Sequence, residues 1–136
     1  MQKQQILPWI LKEAKYNQYI TLISAISCQN SLQLDFNSIS EVHGCVDLNP
    51  SELKLMLEFS KNPSQSRKQL FQFNKLLFFV ILEHSNSIFY LDITGQFILS
   101  VSYGEADKCA VILFKADELV LIQDFVVKCE SQLSER

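Results

Sequence analysis

Two histidines and four cysteines, together with neighbouring acidic residues, are the first side chains to consider for metal binding or nucleophilic attack in this 136-residue chain. Three candidates are close in sequence: His43, Cys45 and Asp47 alternate along one predicted strand, so they would share one face of it. A structural zinc site needs four ligands, and this cluster offers a single thiolate. We therefore expect no metal site and no cofactor.

Catalysis would require an activated nucleophile or paired acids. A cysteine and a histidine can meet in space from distant positions, but nothing around these residues favours such a pair. His84 follows Glu83 in a predicted turn, where a solvated polar side chain is the ordinary interpretation. The chain contains no GxSxG, HExxH, P-loop or GxGxxG motif. We expect no catalytic residue and a function other than that of an enzyme.

Composition excludes several other classes of protein. The formal charge of −3 and the lack of a lysine or arginine run argue against nucleic acid as a partner. The longest apolar run, 76–82, is far shorter than the roughly 20 residues of a membrane span. The first residues lack the apolar stretch of a signal peptide, and no two cysteines form a CxxC pair. These features predict one cytoplasmic domain over residues 1–136, with reduced cysteines.

The first half of the chain is predicted to contain a helix followed by three strands. Apolar residues at 7, 10, 11 and 14 have helical spacing, and Pro8 is tolerable in a first turn. Residues 19–28 fit either a strand or a continued helix. Alternating apolar residues then predict strands over 32–36, 42–48 and 52–60, with a turn at Asn49-Pro50 before the third.

The second half is predicted to end in a hairpin and a helix. Residues 67–79 fit a helix with Ser66 as N-cap, yet 76–82 also fits a buried strand, and the pattern leaves both open. A hairpin is predicted from 88–93 and 97–103 around Thr94-Gly95. The apolar stripe from Leu119 to Leu133 predicts the closing helix, and 109–114 is left open. The fold class is α+β, an antiparallel sheet flanked by helices.

The order of these elements resembles the class I chaperones of bacterial type III secretion systems, which are small acidic proteins that serve individual effectors. The stretch Leu32-Gln33-Leu34-Asp35 resembles the first strand of that family, and 53–59 resembles its third. The hairpin Phe89-Tyr90-Leu91-Asp92-Ile93-Thr94-Gly95-Gln96-Phe97-Ile98-Leu99 resembles the family's hairpin before the last helix.

The resemblance implies a homodimer, or a heterodimer with a related chaperone, that holds a non-globular segment of a secreted effector or another secretion-system protein before export. Leu32, Leu34 and Phe36 are then candidates for the partner-binding groove. Met56 and Ile98 interrupt the polar faces of their predicted strands and are further partner-binding candidates if exposed. The resemblance also makes Phe71, Leu77 and Phe78 candidate dimer contacts.

Two alternatives remain open. One is a non-enzymatic α/β adaptor or assembly subunit, in which residues 76–114 form a continuous four-stranded meander. The other is an immunity protein that neutralises a toxin through a preformed acidic surface and binds a folded enzyme. The secondary structure of 67–83 separates the adaptor from the chaperone, because the chaperone family has a helix there.

Overall fold

The computed structural model describes residues 6–17, 19–29, 39–44, 49–61, 70–84, 86–104, 108–116 and 118–134. In chain order the elements are α1 (Ile6–Tyr16), β1 (Leu22–Gln29), β2 (Ile39–His43), α2 (Pro50–Lys61), β3 (Phe71–Phe73), β4 (Leu76–His84), β5 (Ser87–Asp92), β6 (Phe97–Tyr103), β7 (Lys108–Lys115) and α3 (Leu119–Leu133).

The strands form one seven-stranded antiparallel sheet in the order β2-β1-β7-β6-β5-β4-β3. Strands β4 to β7 are a continuous meander, as the adaptor alternative predicted for residues 76–114. Strand β1 then inserts between β7 and β2, so the two halves of the chain share one sheet. The α+β class with a helix-flanked antiparallel sheet is confirmed.

Of the two possibilities left open for residues 67–82, the part that the structure describes forms strand and not helix. Residues from Phe71 onward form the hairpin of β3 and β4, in which Phe71 pairs with Phe78. The turn between them consists of Asn74 and Lys75, both with positive φ, of 53° and 66°. A two-residue turn with positive φ at both positions matches the right-handed twist of paired strands. The apolar run after it is therefore a strand.

The strand predicted over 52–60 is also wrong, because these residues form α2. Asn49 acts as its N-cap: the Asn49 side-chain oxygen accepts a hydrogen bond from the Ser51 N–H at 2.9 Å. Pro50 occupies the first helical position, where its missing N–H costs nothing. Leu53, Met56, Leu57 and Ser60 recur at helical spacing and are all buried.

Helices cover both faces of the sheet. Helix α2 packs on one face over a core that includes Phe78, Tyr90 and Leu99. Helices α1 and α3 pack on the other face over a second core that includes Phe89 and Ile112. The terminal helices also contact one another, so the beginning and end of the described chain meet on one side of the molecule.

The remaining sequence predictions have mixed outcomes. The 88–93/97–103 hairpin, the closing helix and the first-turn position of Pro8 in α1 are confirmed. The two open segments, 19–28 and 109–114, belong mainly to β1 and β7. The strand predicted over 32–36 lies outside the described residues, and 42–48 is described only to residue 44, one residue beyond the end of β2 at His43. No helix in the described ranges is long and apolar enough to cross a membrane.

Candidate partner-binding cleft

An open cleft with a volume of about 380 Å³ lies between the C-terminal end of α1 and the N-terminal half of α3. Its lining residues come in equal number from the two sides: Glu13, Tyr16, Asn17 and Tyr19 from α1 and the turn after it, and Leu121, Asp124, Phe125 and Lys128 from α3. The cleft therefore depends on the packing of both terminal helices on the sheet.

Two exposed tyrosines form one wall of the cleft. Tyr16 is the last residue of α1 and is 76% exposed, and Tyr19 is 63% exposed. Asn17 fixes the turn between them, because its side-chain oxygen accepts a hydrogen bond from the Tyr19 N–H at 3.2 Å. Its carbonyl accepts the Ile20 N–H at 3.3 Å, and Ile20 is buried in the core. The chain thus anchors itself on Ile20 and leaves the two tyrosine rings in solvent.

Phe125 forms the floor of the cleft and joins three elements. Its ring meets Phe114 of β7 edge-on at 5.7 Å between centroids, and Trp9 of α1 at 6.3 Å with a 33° tilt. Aromatic pairs at these separations add to the stabilisation from burial. The floor is therefore rigid, while the tyrosine wall is accessible to a partner.

Helix α3 is also held by a buried carboxylate near its C-terminal end. Glu130 accepts a hydrogen bond from the Asn86 N–H at 3.1 Å and another from the Ser87 hydroxyl. Ser87 lies 2.8 Å from the Ser102 hydroxyl of the neighbouring strand β6. A buried charged group needs such partners to offset its desolvation. This network fixes α3 against β5 and β6 and thereby sets one side of the cleft.

The charged groups of the cleft are two carboxylates and one ammonium group. Glu13 stands on α1, while Asp124 and Lys128 lie one turn apart on α3. The lining therefore carries a formal charge of −1 next to two aromatic rings. Cations are attracted both by carboxylates and by the faces of aromatic rings, so this combination favours a positively charged side chain beside an apolar one.

The hairpin that carried the family resemblance is organised by Asp92. Its carboxylate accepts hydrogen bonds from the Gln96 N–H at 2.8 Å, the Phe97 N–H at 2.7 Å and the Thr94 N–H at 3.1 Å, as well as from the Thr94 hydroxyl. Burial by itself would raise the pKa of Asp92, but these hydrogen bonds outweigh it and lower the pKa. The Leu-Asp-x-x-Gly pattern is thus local turn chemistry, available to any fold with this hairpin.

The path of the backbone is similar to that of a known structure. Acanthamoeba castellanii profilin IA matches this chain with a TM-score of 0.71, over 95% of this chain and 96% of the profilin chain, at 10% sequence identity. The chain has a profilin-like fold. At this identity the likeness shows the fold alone. No protein-family model matches the chain, and no curated protein matches its sequence.

The profilin-like fold contradicts the resemblance to the secretion chaperones. Nearly the whole chain matches the profilin structure. It has a hairpin and meander strands where the secretion chaperones have their second helix. The resemblance depended on short alternating segments and on the Asp92 hairpin. Of the alternating segments, 53–59 is helical, and 32–35 lies outside the described residues.

The structure places four of the candidate site residues in the core. Met56, a residue of α2, is fully buried against the sheet, and Ile98 is 4% exposed beneath α1 and α3, so neither side chain is on a surface that a partner can reach. Phe71 and Phe78, proposed as dimer contacts, pack against each other and are also buried. Met56 is buried because its segment is a helix packed on the sheet, whereas Ile98 lies in the strand predicted for it and is buried because α1 and α3 cover that face. Phe71 and Phe78 are buried because they lie on strands that share a core with α2. Leu77 is 38% exposed on β4. Leu32, Leu34 and Phe36 lie outside the described residues.

The polar candidates do not form a site among the described residues. His43 ends β2 and His84 ends β4, and both side chains are exposed. Cys45 and Asp47 lie outside the described residues, so the arrangement predicted with His43 is not described. Across the described ranges, no group of three histidine, cysteine or acidic residues is placed to hold a metal ion.

Sequence reasoning missed the two tyrosines of the cleft. Tyr16 falls outside the stripe of Leu7, Ile10 and Ala14, which is the sign of a large aromatic side chain on the solvent side of the helix. That signal was available from spacing alone. The convergence of α1 with α3 was not, because it depends on β1 joining the sheet beside β7.

Proposed function

We propose that the protein is a non-enzymatic adaptor that binds a segment of another protein in the cleft between α1 and α3. The observation that carries this proposal is the exposure of Tyr16 and Tyr19 beside a cleft whose lining includes the buried ring of Phe125. Tyrosine is enriched at protein interfaces because its ring gives a large contact area and its hydroxyl a hydrogen bond. Two such rings beside a cleft are suited to anchoring a partner.

The chemistry of the lining defines the segment that fits. An apolar side chain of the partner would cover the tyrosine faces and Leu121, and a lysine or arginine would lie near Glu13 and Asp124. The volume of the cleft suits two or three side chains rather than a whole domain. Affinity would therefore come from a short segment, with its orientation set by the charged residue.

This proposal replaces the secretion chaperone, whose function was implied by the contradicted family. It retains the adaptor alternative, whose structural prediction was the β4–β7 meander. A toxin-neutralising protein is a different function, since its partner is a folded enzyme that it inhibits. Identifying the partner distinguishes the two.

Site-specific photo-crosslinking tests the proposal directly. The photoreactive residue p-benzoylphenylalanine would replace Tyr16 or Tyr19, and in a matched control Leu55, which is 41% exposed on α2 on the opposite side of the sheet. After irradiation in a lysate of the source organism, adducts would be identified by mass spectrometry. The identified partner would then be purified and titrated against the wild type and the Tyr16→Ala and Tyr19→Ala variants by calorimetry.

We expect one partner to be crosslinked from positions 16 and 19 and not from position 55. Each alanine variant should weaken its binding by about fivefold or more, because tyrosines are enriched among the interface residues whose truncation costs more than about 1 kcal/mol. Crosslinking from position 55 alone, or unchanged affinity in both variants, would show that the cleft is not the binding site.

A further inference from the structure

Cys28 of β1 and Cys109 of β7 are neighbours on two adjacent strands of the sheet. They are directly opposite in the antiparallel register, so their side chains point to the same face of the sheet. Directly opposed antiparallel residues have Cα atoms about 4.5 or 5.5 Å apart, and disulfides span Cα distances of about 4.4 to 6.8 Å. The backbone therefore already holds this pair at a separation that a disulfide can bridge.

We propose that Cys28 and Cys109 are a redox modification site, at which a peroxide or a small-molecule disulfide converts the two thiols into a cross-strand disulfide. With hydrogen peroxide, one thiolate attacks a peroxide oxygen, the O–O bond breaks, and a sulfenic acid and water form. The second thiol attacks that sulfur, an S–S bond forms, and a second water leaves. Two thiols lose two electrons and two protons, and the peroxide gains both. This inference does not depend on the proposed adaptor function.

The position of the pair at the end of the ladder determines how an oxidant reaches it. Cys28 is 2% exposed and Cys109 is fully buried, so the closed structure shields both sulfurs. Within the described part of the chain, one further residue pair, Gln29 with Lys108, follows them at this end of the β1–β7 ladder. The ends of strands open locally at a much lower free energy than global unfolding requires. Opening this end therefore exposes the thiols while the rest of the sheet stays folded.

The environment of Cys109 makes the reaction slow at neutral pH. The hydrogen bond with Cys28, together with burial, raises the pKa of the Cys109 thiol. Since the thiolate is the reacting form, oxidation should accelerate as the pH rises. The pair should thus respond to sustained oxidation and not to brief exposure.

A disulfide between Cys28 and Cys109 would join β1 to β7 covalently within the core that α2 covers. Tyr103 of β6 is paired with Cys109, and its hydroxyl donates a hydrogen bond to the Leu57 carbonyl of α2 at 3.2 Å. The bond would connect β1 to β7 across a long intervening chain and restrict the unfolded state. We expect the oxidised protein to melt about 5 to 15 °C higher than the reduced protein.

The test uses the full chain with Cys45→Ala and Cys129→Ala, so that only the proposed pair remains. Cys45 lies outside the described residues, and Cys129 is buried on the opposite face of the sheet. The protein would be incubated with hydrogen peroxide or oxidised glutathione, denatured, alkylated and mapped by mass spectrometry, with thermal melts before and after dithiothreitol.

Support requires a mass loss of about 2 Da, a linked peptide containing both cysteines, and a rise in melting temperature that dithiothreitol reverses. A Cys109→Ala variant should show no rise in melting temperature after oxidation. If that variant fails to fold, the reduced and oxidised forms of the protein can still be compared, because they have the same sequence. Two alkylated thiols after prolonged oxidation, or separate sulfinic acids or glutathione adducts, would overturn the proposal.

Discussion

The Tyr90 hydroxyl on β5 lies 2.7 Å from the Ser60 hydroxyl on α2, and both side chains are buried. Ser60 also donates a hydrogen bond to the Met56 carbonyl at 2.8 Å, one turn earlier in the same helix. Because that bond uses the single hydrogen of the serine hydroxyl, the Tyr90 hydroxyl donates its hydrogen to Ser60. This contact therefore fixes the rotation of α2 on the sheet, which apolar packing alone specifies less sharply.

We predict that Ser60→Ala destabilises the protein more than Tyr90→Phe. The serine change leaves the Tyr90 hydroxyl buried without its partner, at a cost of about 1–3 kcal/mol, whereas the tyrosine change leaves Ser60 bonded to Met56 and costs about 0.5–1.5 kcal/mol. Urea unfolding of both single variants and the double variant measures the coupling. A double variant that costs as much as the sum of the two would contradict a direct interaction.

The burial of Tyr90 has a consequence for stability at high pH. Burial raises the pKa of Tyr90 to about 12, an effect that the Ser60 hydrogen bond partly opposes and the charge of Glu83 reinforces. The unfolded tyrosine ionises near pH 10, so the unfolded state releases its proton first. Stability is therefore lost as the pH rises from about 10 toward 12.

Much of this fold was predictable where a local pattern and the tertiary structure agree. The Thr94-Gly95 hairpin and the closing helix were found because turn chemistry and helical spacing act over a few residues. Helix α2 was mistaken for a strand although Asn49 and Pro50 are an N-cap and a first helical residue, since the alternating leucines of 53–57 also fit a strand. That error was avoidable, because leucine, lysine and glutamate are helix formers and no β-branched residue lies in the segment.

The cleft was less predictable than the fold. It requires α1 and α3 to meet, and that meeting follows from the pairing of β1 with β7, two strands more than 70 residues apart. No local signal encodes such a pairing. The helical spacing indicates that Tyr16 is exposed, but no local pattern indicates that Asp124 lines the same cleft.

Asp92 should make the protein sensitive to acid. The pKa of Asp92 is lowered in the folded state, so its carboxylate contributes stability that is fully present above the unfolded pKa of about 3.9. That contribution is lost as the pH falls through the folded pKa. Asp92→Asn should lower the free energy of unfolding by about 2–4 kcal/mol at pH 7. The variant replaces one accepting oxygen with an NH2 group, which would face N–H and O–H groups that also donate.

The difference between wild type and Asp92→Asn should shrink as the pH falls below about 4. Urea unfolding at pH 7, 5 and 3 measures it. Asp124→Asn is the matched control, since that carboxylate is exposed and its replacement should change stability by less than about 0.5 kcal/mol at each pH. A constant difference across the three pH values would be evidence against the ionised carboxylate as the cause.

Glu130 should be more important for stability than its place on a surface helix suggests. Glu130→Ala removes the acceptor of the Asn86 N–H and the Ser87 hydroxyl, and we predict a loss of about 2–4 kcal/mol. Glu130→Gln keeps an accepting oxygen and should cost about half as much. Thermal melts compare these variants with Ser131→Ala, an exposed neighbour on α3. Equal stability of the Glu130→Ala and Ser131→Ala variants would show that the network does not hold α3.

The charges of the cleft predict how partner binding depends on salt. If a lysine or arginine of the partner lies near Glu13 and Asp124, the double variant Glu13→Gln/Asp124→Asn should bind about 5- to 30-fold more weakly, since each charge contact at a partly exposed site contributes about 0.5–1 kcal/mol. Its affinity should also change less between 50 and 300 mM NaCl, because screening acts mainly on the lost contacts.

Lys128→Gln removes the cation from the described lining of the same cleft and should leave binding unchanged or strengthen it. Calorimetry with the crosslinked partner measures all three proteins at both salt concentrations. Weaker binding by Lys128→Gln with stronger binding by the double variant would mean that the bound segment is acidic, and the charge assignment of the cleft would be reversed.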